Sequence, residues 1–178
     1  GLSIAKEALI RQGYDVGTVS LLKESAVPDN TSVLVLAGPR RPVIKEEQDR
    51  IHSYVEKGGH LLLLADPDTQ TGLETLLARW GIGLGPGVLV DLQDRLAQGD
   101  LTALLVRTFT EHEITQDLTS AVLLPLSRHL TFDEQTGTDW DFVPLARTSP
   151  NSWAETNMQG RVVSLSEKED VKGPLPMA

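Results

Sequence analysis

The chain contains no cysteine and few aromatic residues. None of its 178 residues is cysteine, and only 4% are Phe, Trp or Tyr. The absence of cysteine excludes thiol nucleophiles, disulfides and cysteine-ligated zinc or iron–sulfur sites. Because aromatic side chains are scarce, a core must be built from Leu, Val, Ile and Ala. The length suits one domain with a substantial core.

Long hydrophobic runs and positive charge are also scarce. The longest apolar run is residues 61–65. A helix that crosses a bilayer needs about 20 apolar residues, so this run is far too short. The formal net charge is −9, and a surface of this charge repels a phosphate backbone. We therefore expect no nucleic-acid partner, and contact with a membrane only through segments outside this sequence.

The first half of the sequence alternates helix and strand patterns. Helices are predicted at residues 2–12, 44–57 and 73–80, and strands at residues 14–21, 32–37 and 60–66. The last two strands are continuously apolar, which is typical of parallel strands covered on both faces. Alternation with helices predicts a three-layer α/β fold, in which a mostly parallel sheet carries helices on both faces as in Rossmann or flavodoxin domains.

The second half is less regular and richer in β patterns. Strands are predicted at 88–90, 121–126, 129–132, 142–146 and 162–165, with further possible elements at 104–109 and 114–118. We expect one α/β domain over residues 1–178, with a regular half at 1–82 and an irregular, β-rich half at 83–178. Both ends look cut, so we expect an excised portion of a longer protein.

Polar residues follow the two strongest predicted strands. Ligands of open parallel sheets bind beyond the carboxyl ends of the strands, where this chain has Arg40, Arg41, Asp66 and Asp68. The two arginines suit an anion, but two nearby prolines remove backbone donors and no phosphate-loop pattern occurs. A solvated basic loop is favoured, and binding of a small molecule such as a sugar or an anion is the alternative.

Aspartates and histidines raise the question of a metal site. Asp66, Asp68, Asp91 and Asp94 follow predicted strands and suit a hard cation, although turn formation and helix capping explain such aspartates more often. The four histidines are His52, His60, His112 and His129. They are scattered without paired-ligand spacing, so we expect no metal site.

Signals for catalysis are missing as well. There is no GxSxG motif, and Ser120, Ser127 and Ser149 adjoin turns without a recognisable base partner. We therefore expect no catalytic residues, no enzymatic activity and no cofactor. Trp153, in the stretch 147–156, is either a binding platform or a plug that packs its loop onto the body, and packing is the commoner outcome.

Several segments, in order, resemble the extracytoplasmic part of the ABC-type transport auxiliary family, which includes GldG-like gliding-motility proteins. They are Val27-Pro28-Asp29-Asn30, the strand from Val33 to Pro39, the helix with Glu46-Glu47 and Tyr54, Gly58 to Pro67, Arg147 to Glu155, and Asp170 to Pro174. Together they cover most of the chain.

This resemblance implies a periplasmic domain, anchored in the full protein by transmembrane helices, that works beside an ABC-2-type permease and its ATPase. Other envelope proteins are further expected partners. The family's fold is similar to that of glutamine-amidotransferase-like domains, whose catalytic cysteine this chain lacks. Members usually have a further strand before the position of Gly1. The implied role is protein interaction or ligand presentation, for gliding or for export.

Overall fold

The computed structural model describes residues 2–96, 100–133, 140–158 and 163–178. Its helices are α1 (Ser3–Arg11), α2 (Lys45–Glu56) and α3 (Glu74–Arg79). Its strands are β1 (Val33–Ala37), β2 (His60–Leu64), β3 (Ile82–Leu84), β4 (Val88–Asp91), β5 (Ala103–Val106), β6 (Val122–Pro125), β7 (Leu130–Phe132), β8 (Ser152–Glu155) and β9 (Val171–Lys172). None of the described helices combines the length and apolarity that a membrane span requires.

The contacts divide the chain into two compact units. Unit 1 consists of Gly1–Leu34 and Ile44–Leu61, and unit 2 consists of Val35–Val43 and Leu62–Ala178. The apolar side chains buried in unit 1 are Leu21, Val27, Leu34, Ile51 and Val55. Unit 2 holds a larger apolar core, in which Leu89, Leu104, Ala154 and Leu175 form one cluster.

The helices and the first strand pair confirm the predictions from periodicity. All three helices lie within the predicted ranges, and α2 begins with Glu46 and Glu47 in its first turn, where the helix dipole favours negative charge. Strands β1 and β2 form a two-stranded sheet. It is parallel, because the end of β1 bonds the end of β2, through a 2.9 Å hydrogen bond from Gly38 N to Leu64 O.

The remaining described sheets are antiparallel, so the prediction of a mostly parallel three-layer sheet was wrong. The antiparallel pairs are β3 with β7, β4 with β8, β8 with β9, and β5 with β6. A parallel pair needs a crossover connection, usually a helix. After α3 the described residues contain no further helix, and the strands there pair antiparallel. The architecture is mixed α/β.

Several strand predictions also failed. Residues 14–20 and 142–145 have no strand structure, residues 114–117 form turns and residue 118 is irregular. In the predicted strand 162–165, residue 162 lies outside the described residues and the other three are irregular. A strand requires a hydrogen-bonded neighbour, and alternating apolar residues alone do not supply one.

Strands β1 and β2 are not covered on both faces, contrary to the prediction. Along each strand exposed positions alternate with more buried ones. Val35, Leu62 and Leu64 are 46%, 47% and 48% exposed. One side of this parallel pair is therefore packed, and in the described structure the other is open to solvent.

Candidate functional site

The loops that follow β1 and β2 meet in unit 2, as expected for the carboxyl ends of parallel strands. Val43 N donates a 2.8 Å hydrogen bond to Thr71 O. Gly72 lies so close to this segment that a Cβ atom there would be 2.4 Å from Val43 N. The structure therefore brings the loop with Arg40 and Arg41 together with the loop that contains Asp66 and Asp68.

The four predicted side chains on these loops are open to solvent. Arg40, Arg41, Asp66 and Asp68 are all exposed. Within the described part of the chain, none of the four forms a side-chain hydrogen bond or an ion pair. Asp66 lies beside Gly38, since a Cβ atom at Gly38 would be 3.2 Å from its Oδ2. This loop edge thus presents both signs of charge to solvent.

Arg128 holds the loop after β2 in place, and sequence reasoning missed it. Its guanidinium donates to the carbonyl oxygens of Asp66 at 3.1 Å, Thr69 at 3.2 Å, Leu84 at 3.2 Å and Gly85 at 2.8 Å. Burial lowers the pKa of Arg128, and the charges of Asp68 and Glu74 oppose this effect. Because the acceptors are backbone carbonyls, no side-chain pattern in the sequence marks them.

Hydrogen bonds of the Thr71 and Glu74 side chains tie together the segment that leads into α3. Thr71 Oγ1 accepts a 3.0 Å bond from Leu73 N, and Glu74 Oε1 accepts a 2.7 Å bond from Thr71 N. Partial burial acts to raise the pKa of Glu74, but hydrogen bonds from the backbone and from Thr71 outweigh it, so the pKa is lowered. Asp68, for which the sequence favours a turn or a helix cap over a metal ligand, lies in a turn with φ of 52°. The Thr-x-x-Glu spacing that pairs these two side chains is visible in the sequence.

Asp91 is a structural residue of unit 2. Its side chain is 0% exposed, and its carboxylate accepts bonds from Gln93 N, Asp94 N, Ser149 N and Ser149 Oγ, at 2.7 to 2.9 Å. Such a network satisfies a buried carboxylate through the protein itself. Ser149, considered as a nucleophile, therefore joins β4 to the segment that leads into β8.

Trp153 lies in the core of unit 2. It is 5% exposed, and its Nε1–H donates a 3.1 Å bond to Glu155 Oε2. Glu155 is also buried and accepts a further 3.0 Å bond from Asn157 N. The side chain has the packing role that was weighed against a binding platform.

No three His, Cys, Asp or Glu side chains within the described ranges are placed to hold a metal ion. His129 is 2% exposed. Its ring packs on Gly85, where a Cβ atom would be 2.1 Å from two ring atoms. Burial lowers the pKa of His129, and the neighbouring charge of Arg128 lowers it further.

The open face of the β1–β2 pair is the other prominent feature. We call the side chains of Val35, Leu62 and Leu64 the apolar face. All three belong to unit 2 and are close to half exposed. Clustered apolar residues on a sheet surface commonly mark a place where another protein binds.

Comparisons with known proteins identify a family and a similar fold. A family model described as "ABC-type uncharacterized transport system" matches residues 4–177. No curated protein matches the chain. The solved structure titled "mmIFT52 N-terminal domain" is similar with a TM-score of 0.62 and 15% identity, over 88% of this chain and 73% of that one. At this identity the likeness shows the fold alone.

Proposed function

We propose, from the premise that this chain belongs to the family described as ABC-type uncharacterized transport system, that it is a non-enzymatic interaction domain of an ABC transporter. Its partner in this proposal is the membrane permease of that transporter, which works with an ATPase subunit. The family match supports the association with transport. The partner, the absence of enzymatic activity and the location are our inferences.

The observation that carries the proposal is the apolar face. Val35, Leu62 and Leu64 expose nearly half of their surfaces on adjacent parallel strands. Burying apolar surface stabilises an interface by about 25 cal/mol per Å². An interface core is depleted in charge and rich in apolar side chains, and this face has that composition. We infer that the permease covers it.

The test is co-purification of the tagged full-length protein with the permease and the ATPase. Leu62→Lys places a charge in the apolar face, and we expect it to abolish co-purification. Leu123→Lys is the matched control, because Leu123 lies on β6 and is 46% exposed, against 47% for Leu62. Unchanged co-purification of Leu62→Lys, with an unchanged melting temperature, would refute this assignment.

The location proposed for the domain is the extracytoplasmic side of the inner membrane, anchored by helices elsewhere in the protein. The GldG-like role in gliding belongs to the same proposal, with export as its alternative. Accessibility of an epitope tag on this domain to protease in intact spheroplasts tests the location. Protection of the tag until the cells are lysed would place the domain on the cytoplasmic side instead.

A second candidate is small-molecule binding at the loops after β1 and β2. It is favoured by the contact between the loops and by the exposed Arg40 and Arg41, which no described acidic side chain neutralises. Thermal-shift measurements with sugars and anions test it, because a ligand that prefers the folded state raises its stability. An anion shift that disappears in Arg40→Gln/Arg41→Gln supports this candidate, and the absence of any shift rejects it.

A further inference from the structure

Unit 1 contains a polar cleft that neither the family nor the proposed function explains. Its volume is about 680 Å³, within the about 300–1,000 Å³ typical of small-molecule sites. One wall is a face of α2 and the residues after it, and the other wall is the segment from Ser25 to Thr31. The polar side chains that line it include Ser25, Asp29, Thr31, Glu46, Ser53 and Lys57.

Two side chains of α2 form hydrogen bonds to the segment that contains the second wall. The guanidinium of Arg50 donates to Leu21 O, before the second wall begins. The hydroxyl of Tyr54 donates a 3.1 Å bond to Thr31 O, at the end of that wall. The chain between Leu21 and Thr31 is therefore attached to α2 at both ends, and the space between them is preformed. Preformed sites bind with less loss of conformational entropy.

Gly59 leaves space for the ring of Tyr54, which forms part of the cleft wall. The ring of Tyr54 lies over the backbone of Gly59, where a Cβ atom would be 2.4 Å from the ring. Any other residue at this position would displace the ring from its place in the cleft wall. The preceding Gly58 ends α2 with φ of 86°, a conformation that favours glycine. The Gly-Gly pair thus both ends α2 and fixes Tyr54.

The cleft has opposite charges near the two ends of α2. Glu46 lies in the first turn of the helix and Lys57 follows its last residue. At 1.5 Å per residue these two positions are about 16 Å apart along the axis. Both side chains are exposed, and neither forms an ion pair with a described residue. Asp49, between them, is already paired with Lys45.

We propose that this cleft binds a short zwitterionic peptide, with its ammonium group toward Glu46 and its carboxylate toward Lys57. An extended chain spans about 3.3–3.6 Å per residue, so three residues cover about 10 Å. The long side chain of Lys57, since helical side chains lean toward the helix N-terminus, can cover the rest of the distance. Ser25, Thr31 and Ser53 also line the cleft, and hydroxyl oxygens can accept hydrogen bonds from the peptide's amide N–H groups. The hydroxyl of Ser53 already donates to Asp49 O, so it would serve as an acceptor. Asp29, on the opposite wall, adds a second carboxylate and favours a ligand that carries positive charge.

Triglycine with free termini is the probe, and N-acetyl-triglycine amide, which lacks both charges, is its matched control. Isothermal titration or chemical-shift titration of the whole chain should detect triglycine and not the capped compound. We expect Glu46→Gln and Lys57→Gln each to weaken binding about threefold, and the double variant about tenfold, as for exposed charge pairs.

Lys23→Gln and Glu24→Gln remove exposed charges of unit 1 that do not line the cleft, and they should leave the affinity for triglycine unchanged. Absence of triglycine binding would overturn the proposal. So would equal binding of the capped compound, or an affinity that neither Glu46→Gln nor Lys57→Gln alters. The outcome is separate from the permease test, since that test changes Leu62 in unit 2.

Discussion

The β1–β2 pair and the β4–β8 pair differ in how the hydrophobicity of a strand relates to its burial. Strands β1 and β2 are almost wholly aliphatic, yet Val35, Leu62 and Leu64 are nearly half exposed. Strands β4 and β8 contain an aspartate, a serine and a glutamate, yet every residue of both is buried. Burial therefore depends on what packs against the second face of a sheet, and not on the hydrophobicity of its strands.

The polar residues of β4 and β8 are tolerated because each has partners. Asp91 accepts bonds from Ser149, and Glu155 accepts one from Trp153. A buried polar group costs little when it is hydrogen-bonded and much when it is not. The exposed aliphatic residues of β1 and β2 gain little free energy in the isolated chain, and an interface would supply the missing burial.

Replacing a leucine by alanine in each strand pair should give the largest difference in the free energy of unfolding. Leu89 on β4 is 0% exposed and belongs to the core cluster, so Leu89→Ala should lower the free energy of unfolding by about 3–5 kcal/mol. Leu62→Ala on β2 should lower it by about 1 kcal/mol or less, since half of the side chain is already hydrated. Urea unfolding measures both values, and equal losses would break the comparison.

Arg128→Ala tests what holds the loop after β2. It removes the donor to four backbone carbonyls, so we expect a loss of about 2 kcal/mol or more. The control is Arg107→Ala, which removes an exposed ion pair with Asp94 and a long 3.5 Å bond to Leu105 O and should cost about 0.5 kcal/mol. If Arg128→Ala loses no more stability than Arg107→Ala, water satisfies the four carbonyl oxygens as well as the guanidinium does.

The stability of unit 2 should fall in mild acid because of His129. Its pKa in the folded state is lowered from 6.5, so folding favours the neutral ring. The stabilisation is therefore complete above pH 6.5 and is lost as the pH falls from that value toward the folded-state pKa. Urea unfolding at a series of pH values measures this slope. His129→Leu should reduce it, whereas His112→Gln should preserve it; an unchanged slope in His129→Leu would exclude this cause.

We expect the smallest change in the free energy of unfolding from a polar substitution in the apolar face. Val35→Thr should change the free energy of unfolding by about 0.5 kcal/mol or less, as is usual for surface substitutions. Val90→Thr, at a fully buried position of β4, is the comparison and should cost about 1–3 kcal/mol because its hydroxyl is desolvated. A large loss for Val35→Thr would mean that this face is already covered within the isolated chain.

Much of the local structure could be predicted from the sequence, because it depends on local signals. Apolar spacing at i, i+3 and i+4 located α2 and α3, and the apolar runs located β1 and β2. Sheet pairing depends on distant partners, so the antiparallel sheets and the short strands β3, β8 and β9 were not predicted. The open side of β1 and β2 was missed for the same reason, since an apolar run does not reveal whether both faces are covered.

The candidate site was predicted in part. The loops after β1 and β2 do come together, which follows from parallel pairing. Arg128 was not predictable, because its carbonyl acceptors lie 43 to 62 residues away in sequence. The bond between Asp91 and Ser149 joins residues 58 positions apart, and no local pattern marks such a pair. The cleft in unit 1 likewise depends on how the segment before β1 is attached to α2.

The most direct measurement uses the absence of cysteine from the chain, since a thiol introduced at one site is then the only one in this sequence. Leu62→Cys and Leu123→Cys differ little in the exposure of the original side chain and should react at similar rates with a maleimide in the isolated chain. In the assembled complex with the permease, we predict that labelling of Leu62→Cys slows strongly while that of Leu123→Cys does not change. Equal labelling of both sites in the complex would contradict the assignment of the apolar face as the interface.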